Sequence, residues 1–345
     1  METDFDASRL GAFLAENAGG PEALSVSRIA GGQSNPTYFV DFGGRRLVLR
    51  KRPAGPLVAS AHAIDREYRV LKALEGTGMP VPRAILFHGG DDVVGTPFYL
   101  MERVEGRVFH DCALPDVSPS DRRAMYHSVA RTLATLHSVD FAAVGLGDFG
   151  RPGDYFERQI GRWSKQWQGS PSRADFPEID PLVAWLEAHK PRGDLALSIV
   201  HGDFRIGNMM FHPTEPKVIA VLDWELATLG HPLADLGFSC LPWHSWPDEY
   251  GGILGTDIAV LGIPTQAEYV ATYFERMPHL RPLTDFHVVF ALFRFAMIFV
   301  GIADRARLGT AASADASKVG WLAGRFARRA LDLAEGRAVE SRVGG

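Results

Sequence analysis

Over the first hundred positions, hydrophobic and polar residues alternate in short runs that predict β-strands joined by tight turns. Two runs, Thr37–Phe42 and Arg45–Lys51, flank Gly43 and Gly44, which is the turn composition of a β-hairpin. A helical pattern follows at residues 61–75. Three further strands are predicted, at residues 25–29, 83–88 and 96–101. We expect this part of the chain to form a small antiparallel sheet with one inserted helix.

Helical periodicity replaces the alternation after Gly106. Apolar residues then recur three or four positions apart, as at Val129, Leu133 and Leu136, which places them on one face of a helix. A short β-rich segment at residues 198–223 interrupts the helices, which then resume.

The two patterns together predict an α+β fold with two lobes. We expect a small antiparallel-sheet lobe at residues 1–102 and a larger, mainly helical lobe at residues 103–345. A cleft between two such lobes is a common place for a nucleotide-binding site.

The composition is that of an ordinary folded, soluble protein. Hydrophobic residues make up 46% of the 345 positions and charged residues 22%. The net charge of −5 argues against a dedicated nucleic-acid binder. The two cysteines, Cys112 and Cys240, cannot build a disulfide framework or a cysteine-based zinc site. We therefore expect a reducing, cytoplasmic location.

One stretch, residues 286–303, is nearly all apolar and long enough to suggest a membrane span. His287 and Arg294 interrupt it, and an isolated span would not place an arginine near its centre. We therefore expect a core helix of the larger lobe and no membrane association.

The most informative chemistry lies in residues 199–211. An apolar strand is followed by a polar loop that contains Asp203 and Asn208, and a second apolar strand follows Asn208. A further apolar strand at residues 218–222 delivers Asp223 at its C-terminal end. Three oxygen-bearing side chains would thus emerge from the ends of neighbouring strands. Hard oxygen ligands of this kind suit Mg²⁺.

The spacing from Asp203 to Asn208, followed by the strand-borne Asp223, resembles the catalytic and metal elements of eukaryotic-like kinases. The His-Gly-Asp and Asp-Trp-Glu forms of these elements are similar to those of the aminoglycoside phosphotransferase family. The block at 201–237 resembles in particular the phosphotransferase domains related to acyl-CoA dehydrogenases 10 and 11. The resemblance covers about residues 25–300 and implies a protein-kinase-like two-lobed fold.

The resemblance also implies roles for the loop residues in an ATP-dependent phosphoryl transfer. Asp203 would be the base or orienting carboxylate for the acceptor hydroxyl, while Asn208 and Asp223 would hold Mg²⁺ at the ATP phosphates. Arg205 stands where protein kinases place a lysine that faces the γ-phosphate, and we expect it to stabilise the transferring group. Any one of these residues alone could simply cap a turn or end a strand. Their joint spacing favours the catalytic interpretation.

The predicted strand at 45–51 would supply a phosphate clamp. Strand alternation places Val48 and Arg50 on one face and Lys51 on the other. Kinases put a small apolar residue and a lysine at the first two places, so Arg50 would replace that lysine, and its guanidinium still suits phosphate oxygens. A solvated edge position is the alternative for Arg50. Glu67 lies within the apolar stripe of the predicted helix, either paired with Arg50 or reaching solvent at the margin.

The resemblance implies two further contacts with the nucleotide. A loop at residues 30–35 would cover the phosphates, although Gly-Gly with Ser-Asn is also ordinary turn composition. The segment at residues 98–106 resembles the hinge that borders the adenine. The expected contacts are the loop residues Gly32 and Ser34, the backbone groups of Glu102 and Val104, and the side chain of Met101.

The leading hypothesis is an ATP- and Mg²⁺-dependent O-phosphotransferase acting on a small-molecule hydroxyl. From residue 281 onward, the sequence contains ten Lys or Arg and six Asp or Glu. This local excess of positive charge favours an anionic acceptor, such as a hydroxyacyl-CoA or hydroxy acid, over an aminoglycoside. Trp243 and Trp246 could line the acceptor pocket or simply pack in a loop. The alternatives are a catalytically silent nucleotide-binding protein of kinase-like fold and a metal-dependent phosphoester hydrolase.

Overall fold

The computed structural model describes residues 3–18, 23–29, 35–54, 63–151, 153–193, 196–309 and 319–337. Within these residues the chain forms a sheet-rich lobe followed by a larger, mainly helical lobe. This confirms the α+β, kinase-like architecture that the sequence predicts.

The first lobe is built on a five-stranded antiparallel sheet in the order β1-β2-β3-β5-β4. Because β3 is central in this order, its residues are covered by neighbouring strands on both edges. Pro97 has no backbone N–H and stands just before β5, so the observed strand begins two residues later than predicted. The strands are β1 Leu24–Arg28, β2 Thr37–Phe42, β3 Arg45–Lys51, β4 Ala84–His88 and β5 Phe98–Glu102.

Two helices accompany the sheet, whereas the sequence patterns predicted one. The expected helix is α2, Ile64–Leu74, and the additional one is α1, Ala7–Ala18. Leu10 and Leu14 of α1 are buried against the sheet, and their four-residue spacing is the signal that would have identified this helix. The inserted helix is therefore confirmed, whereas the helix that precedes the sheet was missed.

The second lobe combines helices with two small sheets. Strands β6 (Arg107–Val108), β8 (Met209–Phe211) and β9 (Val218–Val221) form one sheet, and β7 (Ser198–Val200) pairs with β10 (Thr228–Gly230) in the other. These short strands hold the polar loops that carry the site. The helices are α3 Pro119–His137, α4 Tyr155–Gln168, α5 Ile179–His189, α6 Pro232–Ser239, α7 Ile258–Leu261, α8 Gln266–Phe274, α9 Asp285–Arg307 and α10 Leu322–Ala334.

The apolar stretch around residue 294 forms the core helix α9. By length and composition it could cross a membrane, but 78% of its most apolar window is buried inside the protein. Its neighbours include α6, α5 and α10, which cover it with apolar side chains. The buried Arg294 donates from Nη2 to the Gly202 carbonyl oxygen at 2.8 Å, so the charge in this helix reaches the Asp203 loop.

Candidate active site

The loop between β7 and β8 is ordered by His201. Its Nε2 lies 2.9 Å from the Leu222 carbonyl oxygen, and the Asp203 N–H donates to its Nδ1 at 3.1 Å. Since a carbonyl only accepts and a backbone N–H only donates, these contacts select the neutral imidazole protonated at Nε2. His201 therefore orients Asp203 and is not available for proton transfer.

Asp235, near the start of α6, also holds this loop through hydrogen bonds to its backbone. Its carboxylate accepts hydrogen bonds from the backbone N–H groups of His201 at 2.6 Å and Gly202 at 3.0 Å. His137 Nε2 lies 3.6 Å from it. Gly202 has φ of 84°, and a Cβ atom there would lie 2.8 Å from the Leu226 carbonyl oxygen. The loop can therefore take this path only with glycine at position 202.

Asp203, Asn208 and Arg205 meet around one carboxylate. Asn208 Nδ2 donates to Asp203 Oδ2 at 2.7 Å and to the Asp203 carbonyl oxygen at 2.9 Å. Arg205 Nε lies 3.3 Å from the same Oδ2 atom. Burial raises the pKa of Asp203, while the Arg205 guanidinium opposes the increase. The Asp203 carboxylate is thus held in one orientation, and Arg205 neutralises its negative charge only in part. Both properties suit a group that orients a hydroxyl.

Asp223 lies two residues after the end of β9 and adopts a left-handed backbone, with φ of 65°. The Leu222 N–H donates to the Asn208 carbonyl oxygen at 2.9 Å, which ties the end of β9 to the loop that carries Asn208. The amide oxygen of Asn208 has no hydrogen-bond donor among the residues that the structure describes. The candidate metal ligands are therefore the Asp223 carboxylate and the Asn208 amide oxygen. These ligands fit Mg²⁺, with phosphate oxygens filling further coordination positions.

Arg50 lies at the junction of the two lobes and is mostly buried, with its side chain 13% exposed. Its Nη2 atom lies 2.7 Å from Asp223 Oδ1, and its Nε lies 2.9 Å from Glu67 Oε2. A third carboxylate, Glu225, lies 3.6 Å from Nη2. The alternative of a solvated edge residue is therefore wrong for Arg50.

Lys51 points to the opposite face of β3, as the alternation predicts. Its Nζ atom is buried and lies 3.1 Å from Asp4 Oδ1. The cation on the cleft side of this strand is therefore Arg50.

Glu67 of α2 is buried inside the first lobe, with a side chain that is 1% exposed. Besides the ion pair with Arg50, it accepts hydrogen bonds from Asn35 Nδ2 at 2.7 Å and the Tyr99 hydroxyl at 3.1 Å. Burial raises the pKa of Glu67, and the Arg50 guanidinium acts in the opposite direction. Of the two possibilities that the sequence left open for Glu67, the structure has the pair with Arg50.

The expected adenine contacts lie along β3 and the end of β5. Val48 is directly opposite Met101 in the antiparallel ladder. The Glu102 N–H is already used by the Arg83 carbonyl oxygen at 2.9 Å, so only its carbonyl group remains for an adenine edge. The Val104 N–H has no acceptor within the described part of the chain. Gly32 and Ser34 lie outside the described residues.

A small cavity opens beside Arg205. Neither Trp243 nor Trp246 lines it, and Trp243 instead donates to the Pro264 carbonyl oxygen at 3.1 Å. No carboxylate lines the cavity within the described ranges. The apolar walls come from Ile206, Phe238, Leu241, Pro242, Tyr250 and Phe295.

Several residues of this site were not assigned from the sequence. Asn35 and Tyr99 become partners of Glu67 through contacts 32 positions apart, which no local pattern reveals. Glu225 lies two positions after Asp223, and that spacing was the available signal for it. Tyr250 stands over Arg205, with the guanidinium carbon 5.0 Å from the ring centroid, and no spacing indicated it.

Comparison with known proteins decides the family. The model of the phosphotransferase enzyme family matches residues 25–283. The chain belongs to this family. The resemblance inferred from the catalytic loop is thereby confirmed, and the protein is a phosphotransferase of kinase-like fold.

Two relatives carry the same region within longer proteins. Acyl-CoA dehydrogenase family member 10 from Mus musculus is 41% identical over 327 residues, 93% of this chain and 30% of that protein. Acyl-CoA dehydrogenase family member 11 from Rattus norvegicus is 41% identical over 321 residues, 90% of this chain and 41% of that protein. This phosphotransferase therefore spans less than half the length of either relative.

Solved structures show the same fold. A protein from Ralstonia eutropha, crystallised as a candidate aminoglycoside phosphotransferase, has a TM-score of 0.87 and 44% identity, covering 97% of this chain and all of that one. A thermostable mutant of aminoglycoside phosphotransferase APH(4)-Ia, in complex with AMP-PNP and hygromycin B, has a TM-score of 0.62 at 15% identity. That match covers 93% of this chain and 98% of the other, and it concerns the fold alone.

Proposed function

We propose that this phosphotransferase transfers the γ-phosphate of ATP, with Mg²⁺, to a hydroxyl group of a small, largely apolar and anionic molecule. The observation that carries the proposal is the position of Arg205. It contacts the Asp203 carboxylate at 3.3 Å and also lines the cavity. A single side chain thus links the orienting carboxylate to the cavity that we propose as the acceptor site.

The residues of the site divide the work of phosphoryl transfer. Asp203 orients the acceptor hydroxyl and takes its proton, and Arg205 offsets the charge on the transferring group. Asn208 and Asp223 hold Mg²⁺, which supplies positive charge to the phosphate oxygens when it is bound. Arg50, kept in place by Glu67, faces the phosphates from the first lobe. Because phosphoryl transfer asks mainly for positioning and charge neutralisation, this set is sufficient.

Use of ATP is supported by the structural neighbours. Aminoglycoside phosphotransferase APH(4)-Ia was crystallised with AMP-PNP in one complex and with ADP in another. The Val104 N–H, which has no acceptor among the described residues, and the Val48 side chain provide a backbone donor and apolar cover for an adenine.

The acceptor class follows from the walls of the cavity. A site for a polycation such as an aminoglycoside needs carboxylates, and the described lining offers aromatic and aliphatic groups with the cation Arg205. An anionic acceptor with an apolar body, such as a hydroxy acid or a hydroxyacyl thioester, fits these walls. The relatives named acyl-CoA dehydrogenases favour the same class.

The test has two steps. Thermal shift with ATP, with and without Mg²⁺, measures nucleotide binding. Turnover is then measured against hydroxy acids, hydroxyacyl-CoA thioesters and aminoglycosides side by side, with Asp203→Asn as the inactive control. We expect Mg²⁺-dependent stabilisation by ATP and a phosphorylated product from a hydroxy acid or its thioester.

Other outcomes would identify the alternatives. Mg²⁺-dependent ATP binding without any phosphorylated product would support a catalytically silent nucleotide-binding protein. Phosphate release from phosphoesters without ATP would indicate a hydrolase. Phosphorylation of aminoglycosides alone would contradict the acceptor class and leave the phosphotransfer mechanism intact.

A further inference from the structure

One wall of the cavity is a tightly closed loop at residues 245–252, here called the Tyr250 loop. Its backbone bonds to itself: the Glu249 N–H donates to the Trp246 carbonyl oxygen at 2.8 Å, and the Gly252 N–H donates to the same oxygen at 3.1 Å. On its far side, the Cys112 N–H donates to the Gly251 carbonyl oxygen at 2.9 Å. The loop is therefore compact and is attached to the segment that precedes α3.

A buried ion pair attaches the same loop to the C-terminal helix α10. Arg329 Nη1 lies 2.6 Å from Glu249 Oε2 and donates to the His244 carbonyl oxygen at 2.8 Å. The Glu249 side chain is 0% exposed and also accepts from the Trp246 N–H at 3.1 Å. Arg325, one turn earlier on α10, is half exposed and lies 3.9 Å from the other carboxylate oxygen. Removing one partner of a fully buried ion pair is costly, so this contact holds the loop firmly.

Tyr250, the next residue, has a strained backbone and an exposed ring. Its φ is 66°, a left-handed value that is rare for an aromatic residue, and its side chain stands over Arg205. Its ring also packs edge-on against Phe295, with centroids 5.1 Å apart. Such strain persists only where the surrounding contacts over-determine the conformation, and here the contacts of Glu249 and Gly251 lie on either side.

We propose that the Glu249–Arg329 pair acts as a latch for the Tyr250 loop, and that Tyr250 is the positioning residue through which this loop holds Arg205 at the acceptor cavity. The latch joins Arg329 to the wall of the site across 80 positions of sequence. The part of this inference that concerns Arg205 rests on the proposed function. The latch itself is independent of any activity.

The latch is tested through the thiol of Cys112. Cys112 lines the cavity, and its backbone N–H is hydrogen-bonded to Gly251 of the loop. Burial raises the pKa of its thiol to about 12. With Cys240→Ala as background, Cys112 is the remaining thiol, and its rate of reaction with a disulfide reagent reports release of the loop. We expect Arg329→Met to accelerate labelling by about tenfold or more, because local opening limits the reaction. The matched control Arg325→Met should remain within about twofold of the background protein.

A second variant distinguishes release of the loop from unfolding of the whole protein. Arg329→Met leaves the Glu249 carboxylate buried without its cation, whereas Glu249→Gln with Arg329→Met removes both charges. If the single variant does not fold, the double variant is expected to fold and still to label faster. A folded variant of either kind that labels at the background rate would overturn the latch.

The role of Tyr250 is tested by separating turnover from nucleotide affinity. Tyr250→Ala should lower kcat by about tenfold and leave the KM for ATP within about twofold, since Arg205 acts on the transferring group. Tyr250→Phe keeps the ring and should restore most of the lost turnover. Unchanged kcat in Tyr250→Ala would overturn the positioning role. Absence of transfer by the unmodified protein would instead count against the proposed function, while the labelling result would still decide the latch.

Discussion

Arg50 and Asp223, 173 positions apart, are joined by a contact of 2.7 Å between Nη2 and Oδ1. The same guanidinium pairs through Nε with Glu67 at 2.9 Å. A lysine carries a single ammonium on a flexible stem and would fix the two carboxylates less firmly than the planar guanidinium does. The replacement of the usual kinase lysine therefore links the residue proposed as the phosphate clamp in one lobe directly to the carboxylate proposed to hold Mg²⁺ in the other.

The first prediction concerns the stability of this junction. Arg50→Met leaves Glu67 buried without its cation and should lower the free energy of unfolding by about 3–5 kcal/mol. Arg50→Lys keeps the charge and should cost much less, but should weaken Mg²⁺-dependent ATP binding. Urea denaturation measures the first effect and calorimetric titration the second.

Arg69→Met provides the control for Arg50, since Arg69 lies on the neighbouring helix α2 in an exposed pair with Asp148. Its loss should change stability by about 1 kcal/mol or less. Equal losses in Arg50→Met and Arg69→Met would contradict the structural role assigned to Arg50.

The second prediction concerns the chemical step. Asp203→Asn preserves shape and can still accept the hydrogen bond from Asn208, but it cannot take a proton. Transfer should fall by about 10²- to 10⁴-fold while ATP affinity stays nearly unchanged. Steady-state turnover and equilibrium nucleotide binding measure the two quantities.

Asp148→Asn is the matched control for this variant. Asp148 begins an Asp-Phe-Gly sequence that imitates a kinase metal motif, yet it is exposed and pairs with Arg69. Its variant should therefore keep normal activity. Normal turnover in Asp203→Asn would refute the role of Asp203.

The placement of the candidate catalytic residues could be predicted from the sequence because it depends on short-range spacing. Asp203 and Asn208 are five positions apart in one loop, and the alternation in β3 fixes which side of the strand Arg50 and Lys51 face. These are properties of local backbone geometry. The hairpin of β2 and β3 was predicted at its observed bounds for the same reason.

The remaining features depend on contacts between distant parts of the chain. The partners of Glu67 come from a different strand and a different loop, and the latch joins Glu249 to Arg329 across 80 positions. The left-handed backbone of Tyr250 has no signature, because an aromatic residue is not expected at positive φ. Such pairings are set by tertiary packing, which periodicity does not encode.

The third prediction separates two properties of Asp223, its carboxylate and its left-handed backbone. Asp223→Ala and Asp223→Gly both remove the carboxylate, so both should abolish Mg²⁺-dependent nucleotide binding. Glycine tolerates φ of 65° and alanine does not, so Asp223→Gly should be more stable than Asp223→Ala by about 1 kcal/mol. Thermal denaturation and titration with ATP and Mg²⁺ measure the two effects. Equal stability of the two variants would show that the backbone at this position is relaxed.

The fourth prediction concerns pH and the buried Asp235. Burial by itself would raise the pKa of this carboxyl, but the His137 side chain and the hydrogen bond from the His201 backbone N–H outweigh it, so the pKa lies below the ordinary value of 3.8. A carboxyl whose pKa is lower in the folded state stabilises the protein above the unfolded-state pKa. That contribution is lost as the pH falls through the folded-state value.

Asp235→Asn cannot accept both backbone N–H groups of the Asp203 loop, because its amide nitrogen is itself a donor. At neutral pH it should be less stable than the unmodified protein by about 1–3 kcal/mol, the usual cost of a buried donor left without an acceptor. The difference should be constant from neutral pH down to about pH 4 and should shrink at lower pH, since the lost carboxylate no longer contributes there. Urea denaturation across this range measures it. A stability difference that stays the same at every pH would mean that Asp235 is not held as an anion beneath the loop.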